Sequence, residues 1–447
     1  MTTQVYYKTT MSAETLTAPA TEAPASPPPT RLPRITSIDA LRGFVMFTMI
    51  FVNDLAGAPK RLVPDWMVHF SDRHRGGSGM TFVDLVFPGF LFIVGMSIPF
   101  ALGSRLNKGE PVWKTFFHVL IRTISLLALG ILMVHESPDS EKLGWSSTLW
   151  WALMMTSAIF AFCSISSPGK TNSPQRERVF HIITVILRGI GIVALIYLAL
   201  AFVGRKDQYI LRLYPLSIST SWYGILGLIG WAYFAASIIY LVFRTNRTAL
   251  LACVALMTCF YAAGRKGFFE NFWPNHIVDF GGTLGSQAAI TVAGLLLGSI
   301  LVTPDTRTHG SRIKFALWFV GGFAFAALLA NGLYGISKNN ATPSWCLWSS
   351  AITAALWLLF YLWADVRPQS GIAKTARPLA IAGQNVLLAY LLSEMMGAVL
   401  DLVNLGDWYG GLSEHTLAGA IARSAGCGIV LLAITAGLNR IGFRLKL

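Results

Sequence analysis

Long apolar stretches separated by short polar segments run through the chain from about residue 39 onward. A helix needs about 20 apolar residues to cross the hydrocarbon core of a bilayer, and about twelve stretches approach that length. They cover residues 39–58, 81–102, 112–134, 146–166, 179–203, 222–243, 248–264, 283–302, 313–335, 344–364, 379–402 and 417–438. The pattern predicts an all-α, polytopic integral membrane protein with about twelve transmembrane helices.

Residues 1–34 have a different pattern. They are rich in Thr, Ala and Pro, contain the run SPPPT, and have no apolar periodicity, which is typical of a disordered segment. The short apolar core and cleavage site of a signal peptide are missing there, so we expect the first helix to be an uncleaved anchor. The predicted domains are a disordered cytoplasmic tail, 1–34, and a transmembrane domain, 35–447.

Composition agrees with a membrane protein. Apolar residues make up 54% of the chain and charged residues only 13%, whereas soluble domains have about 25% charged residues. The net charge of +14 comes from basic residues scattered singly between apolar segments, so no nucleic-acid partner is expected. The five cysteines lie in apolar stretches without metal-ligand spacing, which predicts neither a disulfide framework nor a zinc site.

The distribution of Lys and Arg predicts the orientation. The segments predicted to lie on the same side of the membrane as the N-terminus contain more Lys and Arg than the segments on the opposite side. Since cytoplasmic loops carry the excess of basic residues, we expect both termini to be cytoplasmic. The loop between the first two helices is then extracytoplasmic.

Polar residues concentrate in the hairpin of residues 37–97, which contains the first two apolar stretches and the loop between them. Polar side chains at membrane depth are costly, and their default interpretation is functional. The hairpin is therefore the candidate active site. Its polar residues include Asn53, Asp65, His69, Asp72, His74 and Asp84. The spacing of His69, Asp72 and His74 permits a metal site, but nothing in it fixes a coordination geometry, so no metal is expected.

Charged residues occur in other predicted spans as well. Arg42 follows Asp39 by three residues, which suits an ion pair on one helix face. Alternatively, Arg42 lines a basic cytoplasmic entrance for an anionic ligand together with Arg122 and Arg188. Glu394 lies toward the outer end of the eleventh stretch. A basic inner mouth and a polar outer end fit either an enzyme or a transporter.

Several motifs carry a resemblance to a known family. They are SIDALRG, FVN, a loop His followed five residues later by Gly, and TFVDLVFPGFLFIVGMS in the hairpin, then ISKNNATPSW and GQNVLLAYLLSEMM further along. Together they resemble the transmembrane acyltransferases related to lysosomal heparan-alpha-glucosaminide N-acetyltransferase and its bacterial relatives. The resemblance implies transfer of an acyl group, usually acetyl, from cytoplasmic acyl-coenzyme A to an amine or hydroxyl of a sugar on the far side.

The resemblance also assigns residues. The family's catalytic His falls on His74 and its Asn on Asn53, whereas His69 lacks the spacing to Gly. His can take a proton near neutral pH, an Asn amide can stabilise an oxyanion, and Asp84 can orient the imidazole. The structural alternatives are a solvated loop His, a helix-end Asn, and an acid favoured by the helix dipole. Asp54 follows Asn53 where other relatives have an uncharged residue.

The predicted function is therefore a membrane acyltransferase with acetyl-coenzyme A as co-substrate. We expect Arg42 and Arg122 to bind the phosphates of the co-substrate. Glu394 and Lys338 are expected to bind a glycan or amino-sugar acceptor. The short outer loops favour a multi-pass protein of a bacterial inner membrane, with membrane lipid around it. A homodimer is an open alternative to a monomer. The alternative is a transporter or flippase for a sugar-containing substrate, although the internal repeats common in transporters are not detected.

Overall fold

The computed structural model describes residues 35–447, apart from residues 75, 136–137, 167–173, 205–207, 214–215 and 221. The predicted tail, 1–34, lies outside the described residues. A helix forms over each of the twelve apolar stretches, and strands are confined to two short pairs in the part that is described. The predicted all-α class is confirmed.

Helices of very different lengths follow one another along the chain. In chain order they are α1 (Thr36–Leu55), α2 (Phe70–Arg73), α3 (Val86–Asn107), α4 (Val112–Val134), α5 (Ser140–Leu143), α6 (Ser147–Phe162), α7 (Pro174–Ala201), α8 (Gly224–Phe243), α9 (Arg247–Arg265), α10 (Ala288–Ser299), α11 (His309–Tyr334), α12 (Pro343–Ala364), α13 (Gly371–Thr375), α14 (Arg377–Ala382), α15 (Val386–Leu402), α16 (Gly406–Gly411) and α17 (Leu417–Arg440). The strands are β1 (Cys163–Ile165), β2 (Leu211–Leu213), β3 (Leu216–Ile218) and β4 (Phe443–Leu445).

Nine helical segments among the described residues are long and apolar enough to cross a membrane. They contain α3, α4, α7, α8, α9, α11, α12, the run from α14 to α15, and α17. The protein is therefore a polytopic membrane protein, while the count of twelve spans stays a prediction. α6 is a shorter apolar helix. α1 carries charged residues near both ends, and α10 is preceded by a π-helical turn, Gly282–Gln287.

The centre of the bundle is formed by α1, α3, α10 and α12, and every residue of α10 is buried. Glycines let α3 and α10 approach until their backbones touch. A Cβ atom at Gly95 would lie only 1.8 Å from the carbonyl oxygen of Thr291. Likewise, a Cβ atom at Gly294 would lie 2.0 Å from the carbonyl oxygen of Phe92. Small residues at crossings of this kind are typical of membrane helices, which associate through close van der Waals packing.

Loops meet at two ends of the bundle. At the first, which we call the hairpin-loop end, the loop after α1 contacts the loop between α11 and α12, and the amide of Gly79 donates to the carbonyl oxygen of Ile336 at 2.9 Å. At the opposite end, the carboxylate of Asp365 accepts hydrogen bonds from the amides of Thr36 and Ser37, both at 3.0 Å. These bonds satisfy orphan donors at the start of α1. β1 also pairs there with β4 in an antiparallel sheet.

Candidate functional site

The hairpin loop folds back on itself between α1 and α3. It contains two 3₁₀ turns, Asp65–Met67 and Val83–Leu85, and the single turn of α2. The hydroxyl of Thr81 donates to the carbonyl oxygen of Val68 at 2.7 Å, which joins the two limbs of the loop. The loop thus brings His69, which is fifteen positions before Asp84 in the sequence, against that carboxylate.

Asp84 is the buried anchor of the site, with a relative exposure of 2%. One carboxylate oxygen accepts hydrogen bonds from the amides of Phe70 and Thr81, both at 3.0 Å. The other lies 2.7 Å from Nδ1 of His69. Because an ionised carboxylate only accepts hydrogen bonds, this contact places a proton on Nδ1 and leaves the lone pair of the neutral imidazole on Nε2. Asp84 therefore fixes both the orientation and the tautomer of His69.

Lys338 completes this group from the loop between α11 and α12. Its Nζ atom lies 3.2 Å from Nδ1 and 3.3 Å from Nε2 of His69. Burial lowers the pKa of Lys338, and the carboxylates of Asp84 and Asp72 oppose that shift. The side chain of His69 remains 36% exposed. We call His69, Asp84 and Lys338 the open cluster, because a substrate can reach its imidazole from outside.

The two residues that the sequence places at the catalytic centre are exposed. His74 follows α2, and its ring lies 4.7 Å from that of Phe70, measured between centroids. Asn53 lies in the last turn of α1 with its side chain exposed. The side chain of Asp84, which the sequence assigns to His74, instead bonds to His69. The structure thus joins one predicted catalytic residue, Asp84, to the histidine that the motif spacing disfavours.

A second polar group surrounds Asp54, directly after Asn53. Arg423 donates from Nε to the Asp54 carboxylate at 2.9 Å and from Nη2 to the Asp54 carbonyl oxygen at 2.6 Å. Tyr409 and Ser424 also donate to that carboxylate, at 2.7 and 2.6 Å, and Ser413 accepts from Arg423. We call these five residues the closed cluster. It explains the unusual carboxylate beside Asn53 as the partner of a buried arginine from α17.

The predicted basic residues lie on separate contacts toward the opposite end. Arg42 forms an ion pair with Asp39 at 2.9 Å and also donates to the hydroxyl of Ser97. Arg122 lies over the ring of Tyr233, 4.7 Å from its centroid. Its Nε atom is buried and has no hydrogen-bond partner among the described residues. An unsatisfied guanidinium nitrogen suits an anionic ligand, because guanidinium groups pair well with phosphate.

Glu394 lies on α15, where its carbonyl oxygen accepts a hydrogen bond from the indole of Trp151 at 2.9 Å. It is thus packed against α6, whereas Lys338 is packed against the hairpin loop. Within the described ranges, no three His, Cys, Asp or Glu side chains converge as metal ligands would.

Sequence reasoning did not find the contacts that His69 makes with Asp84 and Lys338, because they are defined only by the fold. Lys338 is 269 positions away from it in the chain. The link depends on the contact between two loops, where Ser78 also accepts a hydrogen bond from the amide of Ile336 at 2.8 Å. No periodicity or motif spacing in a single sequence encodes such a contact. The signal that was present is the polar character of ISKNN just before α12.

Known proteins share sequence with this chain. Heparan-alpha-glucosaminide N-acetyltransferase of Homo sapiens is 31% identical over 113 residues, and its Mus musculus counterpart is 30% identical over 112 residues. Each alignment covers 25% of this chain and 16% of the relative. The resemblance indicated by the hairpin motifs is thus supported over a quarter of the chain. The family described as "Domain of unknown function (DUF5009)" matches residues 34–269. Because that match covers more than half of the 447 residues, the chain belongs to the DUF5009 family.

Proposed function

We propose that this protein is a membrane acyltransferase. It moves an acyl group, acetyl in the simplest case, from cytoplasmic acyl-coenzyme A to an amine or hydroxyl of a glycan or amino sugar on the other side. The observation that carries the proposal is the contact of 2.7 Å between His69 and the buried Asp84, which leaves Nε2 of a half-exposed imidazole available as a base. The names of the similar N-acetyltransferases support the reaction class.

The chemistry follows from that geometry. The acceptor nitrogen or oxygen attacks the carbonyl carbon of the thioester while Nε2 of His69 takes its proton. The negative charge on Asp84 stabilises the imidazolium that forms. The tetrahedral intermediate then collapses, the carbon–sulfur bond breaks, and the sulfur of coenzyme A leaves as a thiol after it gains a proton. No oxidant or reductant is required.

Asn53 is the proposed donor to the oxyanion of the tetrahedral intermediate, through its exposed side-chain amide. His74 remains the second candidate for the base, because the motif spacing selects it. It lacks the buried carboxylate partner that His69 has. The geometry therefore favours His69, and the two histidines can be separated by experiment.

Acyl-coenzyme A would bind as a substrate from the opposite end of the bundle. Arg42 lies eleven residues before Asn53 on α1, which corresponds to about 16 Å along the helix. Phosphates held near Arg42 would thus be separated from Asn53 by a length of helix that an extended pantetheine arm can span, and Arg122 is the second proposed phosphate-binding residue. Glu394 and Lys338 remain the predicted acceptor-binding residues. A bacterial inner membrane, with both termini in the cytoplasm, is the proposed location.

The test measures acceptor-dependent release of coenzyme A by the full chain in detergent, with acetyl-coenzyme A and glucosamine as substrates. We expect His69→Ala to lower the rate by roughly 10² to 10⁴, the usual range for a general base. His74→Ala serves as the matched control and should change the rate less than about threefold. The reverse result would assign the base to His74. Transport of the sugar into proteoliposomes without thioester consumption would favour the transporter alternative instead.

A further inference from the structure

The position of Lys338 raises a question that the base alone does not answer, namely the source of the proton that the leaving sulfur gains. Its Nζ atom is nearly equidistant from the two ring nitrogens of His69, at 3.2 and 3.3 Å. Nδ1 is already committed to Asp84. A point almost equally far from both ring nitrogens lies beside the ring and not in line with the outward lone pair of Nε2, so that lone pair stays open to the acceptor.

Nε2 is also the atom that takes the proton of the acceptor. An acceptor close enough to give its proton to Nε2 therefore lies close to Nζ of Lys338 as well. The thioester carbon that this acceptor attacks, and the sulfur bonded to that carbon, come within reach of the same ammonium group. The ammonium of Lys338 is a hydrogen-bond donor that lies within 3.3 Å of both nitrogens of the imidazole.

Charge repulsion favours the release of a proton by the ammonium group of Lys338. Once His69 has become an imidazolium, a second cation lies 3.2 to 3.3 Å from it. Two like charges at that distance repel each other strongly in a partly desolvated site. The carboxylate of Asp84 contacts His69 and stabilises the imidazolium, and the carboxylates of Asp84 and Asp72 both act on Lys338. The unfavourable charge is relieved when Lys338 gives up its proton.

We infer that Lys338 is a catalytic residue that protonates the leaving sulfur and then recovers a proton from His69 when its flexible side chain turns toward Nε2. The inference rests on the proposed acyl transfer. The proton of the acceptor moves to Nε2, a proton of Lys338 moves to the sulfur as the carbon–sulfur bond breaks, and the imidazolium returns its proton to the neutral amine. Both residues then regain their starting states, and the acceptor proton has in effect been exchanged for the thiol proton.

Burial supports this role, since it lowers the pKa of Lys338 below the ordinary range of lysine. A general acid is most effective when its pKa lies near the working pH. The rate should therefore fall on the alkaline side as pH rises through the pKa of Lys338, because the amine has then lost the proton that it donates. Lys338 lies in the loop between α11 and α12 and outside both membrane-spanning helices, so its protonation can follow the external pH.

The experiment compares wild type, Lys338→Met and Lys338→Arg in pH profiles of kcat/KM, with acylated glucosamine quantified by mass spectrometry. Arginine keeps the positive charge but does not release its proton at ordinary pH. We expect both variants to lose about 10²-fold at neutral pH and to lack the alkaline limb of the wild type. Asn339→Ala, an exposed residue of the same loop, is the control and should retain the wild-type profile.

Two results would overturn the inference. Retention of most of the activity by Lys338→Arg would show that the residue supplies charge alone, and retention by Lys338→Met would show that it supplies neither charge nor proton. Elution of either variant in the void volume of a detergent gel filtration would identify a loss of fold, and Lys338→Gln then replaces it. An inactive wild type would refute the proposed function itself. An active wild type with equally active variants would refute only the role of Lys338, so the two failures can be told apart.

Discussion

The open and closed clusters both contain a carboxylate and a cation at the hairpin-loop end, yet they differ in the exposure of the group that the carboxylate holds. In the closed cluster, the Arg423 and Asp54 side chains are 5% and 7% exposed, and hydrogen bonds engage both carboxylate oxygens. In the open cluster, Asp84 is equally buried, but the imidazole that it holds is 36% exposed. Burial of a carboxylate is therefore common to both clusters and does not identify the reactive one.

We propose that the difference separates a structural ion pair from a reactive one. A buried pair contributes little net stability, but removal of one partner leaves an uncompensated charge and is costly. The closed cluster should therefore affect folding when it is broken. The open cluster retains a nitrogen lone pair that faces outward, so its disruption should affect chemistry. Variants that separate stability from activity can test this contrast.

The largest expected effect is on the stability of the closed cluster. Arg423→Met removes the cation and leaves Asp54 buried, which should destabilise the protein by about 3–5 kcal/mol. The measurement is the thermal unfolding midpoint in detergent, compared with Arg423→Lys, which keeps the charge and should lose less. An unchanged midpoint for Arg423→Met would contradict the assignment of this cluster to folding.

The next effect is on the activity of the open cluster. Asp84→Asn keeps the shape of the side chain but removes the charge that fixes the tautomer of His69. We expect kcat to fall by about 10² to 10³-fold, by analogy with the orienting carboxylate of a catalytic triad. Asp65→Asn, another acid of the hairpin loop, is the control and should retain its rate. A loss of stability without a loss of kcat in the folded fraction would argue that Asp84 is structural.

The smallest effect sharpens the comparison within the closed cluster. Tyr409 donates its hydroxyl proton to Asp54 at 2.7 Å, and burial together with that carboxylate raises the pKa of Tyr409. The hydroxyl thus remains a donor well into the alkaline range. Tyr409→Phe should cost about 1.5–3 kcal/mol, as expected for a hydrogen bond to a charged group. The unfolding midpoint should fall while kcat stays constant, and a fall in kcat alone would place Tyr409 in the reaction.

Much of the fold could be predicted from the sequence, because a spanning helix depends on local length and hydropathy. A helix forms over every predicted apolar stretch. The count of spans is less secure, since α1 carries charged residues and α10 is short. Membrane insertion of such helices depends on their neighbours, which a local pattern does not describe.

The site could be predicted only in part. The hairpin and Asp84 follow from polar residues placed where lipid would exclude them. The choice between His69 and His74 depends on how the loop bends, and motif spacing selects His74 whereas the hydrogen bond to Asp84 selects His69. Asp54 looked anomalous in sequence because its partner, Arg423, lies 369 positions away. Long-range ion pairs of this kind leave no local signal.

The backbone contacts between α3 and α10 have a consequence for motion. Alternating-access transporters move one group of helices against another around a fixed binding site. At Gly95 and Gly294 the two helices leave no room for a Cβ atom, so a shift that replaced either glycine at the crossing by a residue with a side chain would produce a clash. A seam of this kind supports the acyl transfer that we propose, in which the acyl group travels through a stationary frame.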